Sequence, residues 1–277
     1  MKTRIISGAV MVILLIPCLF FSHTIIFDIL LSVLALVATY EMLGCVGMRR
    51  NIFISLPAYL ISVFVPLTVR VLELGIGFSE LVLLVFIIFL FYVLSVAVFS
   101  KGKISSVDVT VVFTMIFYII FGFSAIISVR NAPNGAYLFL LIFMSSWISD
   151  TGAYFTGVFF GKKKLIPEVS PKKTIEGAIG GLFFCVLSFV IYGIIMQYRF
   201  DFEPNYIMLG VLGLILSVIS ICGDLIASLI KRHFDIKDYG NLIPGHGGIM
   251  DRFDSVIATA SVMGVIINLP IVINNIL

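Results

Sequence analysis

The chain alternates between long apolar runs and short polar segments. A transmembrane helix needs about 20 predominantly apolar residues, with a range of about 17–25. Nine runs meet or approach this length, at residues 5–21, 25–44, 53–69, 82–99, 108–128, 136–156, 178–196, 205–230 and 253–274. The pattern therefore predicts an all-α, polytopic membrane protein with about nine transmembrane helices.

Composition supports a membrane protein and excludes a soluble one. The 277 residues are 61% hydrophobic and 12% charged, whereas soluble domains carry about 25% charged residues.

Lys2 and Arg4 precede the first apolar run as in a signal peptide, but no small-residue cleavage pattern follows, so we interpret this run as a retained span. The net charge of +3 is too small to indicate a nucleic-acid partner. The four cysteines lack metal-ligand spacing and are interpreted as structural thiols.

The distribution of lysine and arginine predicts the orientation. With the N-terminus in the cytoplasm, 15 of the 18 basic residues lie in cytoplasmic segments, in agreement with the positive-inside rule. The three on the opposite side are Arg70, Arg130 and Arg199. This orientation places the polar segments 161–177 and 231–252 on the same cytoplasmic side, where their side chains can act together.

The two halves of the chain differ in their polar content. Residues 1–130 are predicted to form a five-helix scaffold, and residues 131–277 a four-helix catalytic membrane region. In the first half, Asp28, Glu41 and Asp108 lie near predicted span ends, where interfacial water can hydrate a charged group. We therefore interpret these three carboxylates as non-functional.

Asp150 lies inside the sixth apolar run, where a carboxylate costs about 2.5–3.5 kcal/mol on insertion scales. Ser146, Ala153 and Gly157 share its helical face. These small residues would allow another helix or a ligand to approach closely. Asp150 is thus either a functional residue or a packing residue bonded to a neighbouring helix.

A lysine-rich segment, G-K-K-K-L-I-P-E-V-S-P-K-K-T-I-E-G, follows the sixth run. A helix can begin in it at Ser170-Pro171 or at Thr174. The free N–H groups and positive dipole end of a helix start bind phosphate, and Lys172 and Lys173 add full charges. The segment predicts a phosphate site, with ordinary attraction to anionic lipid as the alternative.

Two neighbouring predicted helices carry carboxylates. Asp224, Ser228 and Lys231 lie at i, i+4 and i+7 on one helical face, and Asp251 and Asp254 share a face at the start of the next helix. Three converging carboxylates would repel one another unless a cation or a proton held them together. Oxygen ligands favour Mg²⁺ over Zn²⁺. We predict Asp224, Asp251 and Asp254 as ligands of Mg²⁺, and whether a second cation binds stays open.

The loop between these helices contains P-G-H-G-G. Its glycines, Gly247 and Gly248 among them, would allow backbone N–H groups to approach a ligand. His246 either contacts a phosphate or fixes the loop.

Residues 228–254 resemble the signature of the phosphatidate cytidylyltransferases, or CDP-diacylglycerol synthases. The segments D-T-G-A-Y at 150–154 and S-P-K-K-T-I-E-G at 170–177 are also similar to that family. The resemblance implies that CTP and phosphatidate are converted to CDP-diacylglycerol and pyrophosphate by a Mg²⁺-dependent homodimer in the inner membrane. It also implies that the metal-site aspartates are Asp224, Asp251 and Asp254.

The residues themselves are compatible with this reaction. The ionised lipid phosphate can attack the α-phosphorus of CTP without a side-chain nucleophile, so the site must mainly screen the repulsion between two anions. Catalytic roles are assigned to Asp224, Asp251, Asp254, Lys173 and Lys231. Substrate-binding roles are assigned to Lys172, Arg232, Lys237, His246, Gly247, Gly248, Arg252, Asp150 and Ser228.

Two alternatives are considered, a related CTP-using membrane enzyme and, from a different class, a transporter. A CTP-dependent polyprenol or phytol kinase would release CDP instead of pyrophosphate. An ion-coupled transporter would be expected to show inverted repeats and a midplane site, whereas here the charges collect at one face and no repeat is evident.

Overall fold

The computed structural model describes residues 17–72, 78–243, 245 and 247–269. Helices dominate this part of the chain, and a short 3-10 helix, Phe21–His23, precedes the first long one. The long helices are α1 (Ile25–Cys45), α2 (Ile52–Leu72), α3 (Phe78–Phe99), α4 (Ser106–Asn131), α5 (Gly135–Phe160), α6 (Ile175–Phe200), α7 (Tyr206–His233) and α8 (Met250–Ile266).

Within the described residues, the seven helices α1 to α7 are long and apolar enough to cross a membrane. Each coincides with one of the predicted spans from 25–44 to 205–230, which confirms the prediction of an all-α polytopic membrane protein. Most of the predicted span 5–21, and the end of the predicted span 253–274, lie outside the described residues. The count of nine spans therefore stays a prediction.

A two-stranded antiparallel hairpin interrupts the helices between α5 and α6. It consists of β1 (Lys164–Ile166) and β2 (Ser170–Thr174). A helix start at Ser170-Pro171 is therefore wrong, because this segment pairs with β1 in extended backbone, with Ser170 opposite Ile166 and Thr174 opposite Lys164. The alternative start at Thr174 is confirmed, since its Oγ1 accepts a hydrogen bond from the N–H of Gly177 at 3.1 Å.

The helices form two compact units. The first contains the described residues of Met1–Ser128 and His233–Phe253, and the second those of Val129–Arg232 and Asp254–Leu277. The loop that precedes α8 thus packs with the N-terminal helices. The functional division into residues 1–130 and 131–277 stays a prediction.

The first unit has an apolar core formed by α1 to α4, in which Leu43, Ile54 and Ile116 are fully buried. Asp28 is also fully buried, and Arg70 donates to both of its carboxylate oxygens, at 2.5 and 2.9 Å. The prediction that water hydrates Asp28 is therefore wrong. A bidentate arginine replaces that water, because an unpaired buried charge would be far more costly.

In the second unit, small residues bring α5 and α6 together. A Cβ atom at Gly181 would stand 2.7 Å from the carbonyl oxygen of Ser149, and one at Gly177 would stand 2.7 Å from that of Ala153. Gly157 faces Thr174 at the start of α6. The small face predicted around Ala153 and Gly157 thus serves the close approach of a helix, as is typical of membrane proteins.

We expect Gly181→Ala to lower the midpoint of thermal unfolding in detergent. Its methyl group would overlap a helix backbone, and overpacking of this kind costs about 1–3 kcal/mol. Gly210→Ala is the matched control, because a Cβ atom there would have no neighbour closer than 4.0 Å. The control should unfold at the same temperature as the parent or slightly higher. Equal midpoints for the two variants would contradict the packing described here.

Candidate functional site

An ion pair joins the lysine-rich segment to the end of α7. Lys173 of β2 places its Nζ 2.5 Å from Oδ2 of Asp224, and the two side chains are 24% and 28% exposed. Ser228 donates its hydroxyl to Oδ1 of Asp224 at 3.3 Å, as the spacing of one helical turn predicts. The phosphate-site lysine and a predicted metal-site carboxylate therefore lie together.

Glycine at position 223 brings α7 against α8. A Cβ atom there would stand 2.6 Å from Cβ of Ala258 and 2.9 Å from the carbonyl oxygen of Asp254. Any side chain would push the two helices apart. Asp224, the next residue of α7, is thus held beside the second turn of α8.

Asp254 is almost completely buried, with 8% of its surface exposed. Its Oδ1 accepts the N–H of Ser255 at 2.7 Å. The charges of Asp224, Lys231 and Asp150 act on this carboxylate, and Lys231 is itself only 9% exposed. Lysine is rarely buried so far unless a partner balances its charge. The second unit therefore concentrates three acidic groups and two lysines in one place.

The carboxylate of Glu176 lies in the first turn of α6, and there it ties the loop after α5 to the helix. It accepts the backbone N–H groups of Lys162 and Lys163 at 3.0 and 3.2 Å. Lys172 is exposed, whereas Lys173 is half-buried and turned to Asp224. The helix start and its lysines are thus present, and phosphate binding there stays a prediction.

In the first unit, Asp251 holds the two ends of the loop that precedes α8. Its Oδ2 accepts the N–H of Tyr239 at 2.8 Å and that of Gly248 at 3.0 Å. Gly247 has a φ of +83°, a backbone conformation that favours glycine. His246 lies outside the described residues, so its predicted role is untested.

The other predicted substrate-binding cations are exposed on the surface of the chain. They are Arg232, Lys237 and Arg252. Asp150 is also exposed, on α5. Exposed basic side chains suit contact with lipid headgroups or a soluble anion, and these assignments stay predictions.

Binding of Mg²⁺ by side chains requires that carboxylate oxygens lie close together. Among the residues that the structure describes, no group of three His, Cys, Asp or Glu side chains is arranged to hold a metal ion. Asp224 and Asp254 belong to the second unit and Asp251 to the first. Mg²⁺ commonly uses only one or two carboxylates, together with waters and substrate phosphates. The chemistry of Asp224 and Asp254 is of the kind that Mg²⁺ uses, and their role as its ligands stays a prediction.

Sequence reasoning missed Glu41. This side chain is 4% exposed, and it accepts the N–H of Ile249 at 3.0 Å and that of Met250 at 2.8 Å. The prediction that it is hydrated at a span end is wrong. These partners are 208 and 209 residues away, so no local pattern shows them. The one available signal is an acid in the last turns of an apolar helix, where the helix dipole disfavours negative charge.

Comparison with known proteins gives a consistent result over nearly the whole chain. The model of the cytidylyltransferase family matches residues 2–269. A phosphatidate cytidylyltransferase of Staphylococcus aureus (strain COL) is 37% identical over 268 residues, which are 96% of this chain and 99% of that protein. The same-named proteins of Staphylococcus haemolyticus and Staphylococcus epidermidis are 34% and 32% identical, with the same coverage.

We expect the Lys173–Asp224 pair to show thermodynamic coupling. Lys173→Met and Asp224→Asn each leave one charge without its partner, so the double variant should be less destabilised than the sum of the two single ones. Contacting charged groups couple by about 0.5–3 kcal/mol. Thermal unfolding in detergent measures this cycle, with Lys172→Met as the control because Lys172 is exposed. Strict additivity of the two single effects would contradict the pairing.

Proposed function

The chain belongs to the cytidylyltransferase family, and we propose that it transfers the cytidylyl group of CTP to phosphatidate, giving CDP-diacylglycerol and pyrophosphate. The observation that carries the proposal is the cluster of Lys173, from β2, with Asp224, Lys231 and Asp254, from otherwise apolar helices. The shared name of the relatives supports this substrate pair.

The reaction needs no side-chain nucleophile. An oxygen of the lipid phosphate monoester attacks the α-phosphorus of CTP and forms a new P–O bond. The bond between the α-phosphorus and the bridging oxygen of the β-phosphate breaks, and pyrophosphate leaves with the electron pair. Both reactants are anions, so catalysis consists mainly of positioning them and stabilising the developing charge.

Lysines in the cluster would bring the two anions together. Lys173 can serve both Asp224 and a phosphate oxygen, because an ammonium group has three donors. Lys231 is nearly buried beside Asp254, in surroundings where a charge acts more strongly than in water. The exposed cations Lys172, Lys237 and Arg252 would guide the triphosphate and the lipid headgroup to the site.

Mg²⁺ would be held by Asp224 and Asp254. Asp251 keeps the metal-ligand role that the sequence pattern predicts for it, because it shares a helical face with Asp254. When bound, it would neutralise phosphate charge and stabilise the pyrophosphate leaving group. One or two such cations are compatible with the proposal. The protein's own contribution is to hold the carboxylates and lysines in place without a substrate.

The site would lie near the cytoplasmic surface of the membrane. CTP would enter it from the cytoplasm, and the lipid would enter it laterally from the bilayer. The excess of Lys and Arg in the segments around the cluster supports this orientation. The proposal includes the inner membrane as the location and a homodimer as the assembly.

The decisive experiment is a product assay on purified protein with phosphatidate, α-³²P-labelled CTP and Mg²⁺. We expect label in a lipid and release of pyrophosphate, both abolished by EDTA.

In the same assay, we expect each of three variants to fold but to lose about 100-fold or more of the rate of nucleotidyl transfer. They are Asp224→Asn, Asp251→Asn and Asp254→Asn. The control is Glu203→Gln, an exposed carboxylate in the loop between α6 and α7, which should keep its rate.

Other results of this assay would overturn the proposal in defined ways. Label in CDP would indicate a lipid kinase. Untouched CTP with folded protein would favour a transport pathway. Normal turnover in all three aspartate variants would remove the proposed metal site.

We expect the loops on either side of α6 to lie on opposite faces of the membrane. Lys172 and Glu203 are both exposed, so each can be replaced by cysteine in a variant whose four native cysteines are changed to serine. A membrane-impermeant maleimide should label Glu203→Cys in intact cells and Lys172→Cys only after permeabilisation. Labelling of both positions, or of Lys172→Cys alone, in intact cells would contradict the orientation.

A further inference from the structure

The buried carboxylate of Glu41 holds the start of α8 and the end of the loop before it. Its two oxygens accept separate hydrogen bonds, Oε1 from the N–H of Ile249 at 3.0 Å and Oε2 from the N–H of Met250 at 2.8 Å. The first N–H groups of a helix have no partner within the helix. Glu41 therefore caps α8 from a distant part of the chain, with a full negative charge at the positive end of the helix dipole.

Two glycines in the same region lie against this carboxylate. A Cβ atom at Gly240 or at Gly248 would overlap the carboxylate of Glu41. Gly240 lies near the beginning of the loop and Gly248 near its end. Both ends of the loop are thus shaped around one side chain of α1.

Asp251 contacts the same two ends of the loop. It accepts the N–H of Tyr239, next to Gly240, and the N–H of Gly248, next to Ile249. Two carboxylates therefore share the loop between them, and the charge of each acts on the other. Because like charges repel, the backbone N–H groups that each carboxylate accepts must hold the two side chains in place.

We propose that Glu41 is a positioning residue for nucleotidyl transfer, acting on the reaction through Asp251 and the described ends of the loop before α8, residues 239–243 and 247–250. The inference rests on the proposed function of Asp251 as a metal ligand. Glu41 itself touches no substrate in this proposal. It keeps Asp251 and the glycine-rich loop in the arrangement that the reaction requires.

The test compares Glu41 with a second buried carboxylate of the same helix. Glu41→Ala removes both acceptors. Glu41→Gln keeps one acceptor, its amide oxygen. Its NH₂ group is a donor and would face a backbone N–H, so the second hydrogen bond is lost. Asp28→Asn is the matched control, because Asp28 is fully buried in α1 and bonded to Arg70 instead of the loop. It should lower the thermal midpoint without affecting the loop.

Three measurements are made on the full-length protein in detergent. They are the Mg²⁺ concentration for half-maximal activity, the binding of Mn²⁺ followed by electron paramagnetic resonance, and amide hydrogen exchange of the peptides that cover 239–251. We expect Glu41→Ala to weaken Mg²⁺ activation and Mn²⁺ binding by about 10- to 100-fold, as the loss of an outer partner of a metal ligand does. Exchange should quicken at Ile249 and Met250. Glu41→Gln should be intermediate, and Asp28→Asn unchanged in all three.

The proposal is overturned if amide exchange of 239–251 is unchanged in Glu41→Ala. It is also overturned if exchange quickens while Mn²⁺ binding and turnover stay at the parental values, or if Asp28→Asn reproduces the pattern of Glu41→Ala. Failure of the proposed function has a different signature. If the parent protein does not produce a labelled lipid, or if Asp251→Asn binds Mn²⁺ and turns over normally, the function assigned to Asp251 fails, whatever the exchange of the Glu41 variants.

Discussion

A charge among apolar helices must be balanced by other groups of the protein, and this constraint shapes the structure. Asp28 is balanced by the guanidinium of Arg70, Asp224 by the ammonium of Lys173, and Glu41 by two backbone N–H groups of α8. Each solution joins parts of the chain that are far apart in sequence. Polar contacts thereby act together with the close packing of small residues to determine which helices and loops meet.

The same constraint explains why the charge cluster suits phosphate chemistry. Asp254 and Lys231 are almost buried, and Asp224 and Lys173 are partly so. In such surroundings, electrostatic interactions are stronger than in water, and the groups are already ordered before a ligand arrives. A site that must bring two phosphate anions together needs both properties. The close approach of α7 to α8 at Gly223 holds Asp224 beside the turn that carries Asp254.

Backbone N–H groups are the partners of several carboxylates near the candidate site. Glu176 binds the N–H groups of two lysine residues after α5, and Asp251 and Glu41 bind those of the loop before α8. Carboxylates at these helix starts satisfy N–H groups that would otherwise be unpaired. Carboxylates thus fix the described parts of these loops, while Lys172, Lys237 and Arg252 near them are exposed.

Much of this could be predicted from the sequence, because the information is local. Apolar runs of about 20 residues predict transmembrane helices. A spacing of four residues places Asp224 and Ser228 on the same face of one helix. The sequence also allows α6 to begin at Ser170-Pro171 or at Thr174, and the pairing of β2 with β1 decides for Thr174. Only the tertiary structure decided which groups pair with the buried charges. The pairing of Lys173 with Asp224 and the contact of Glu41 with Ile249 and Met250 depend on how distant helices pack, and a linear pattern contains no signal for a hydrogen bond across 208 residues.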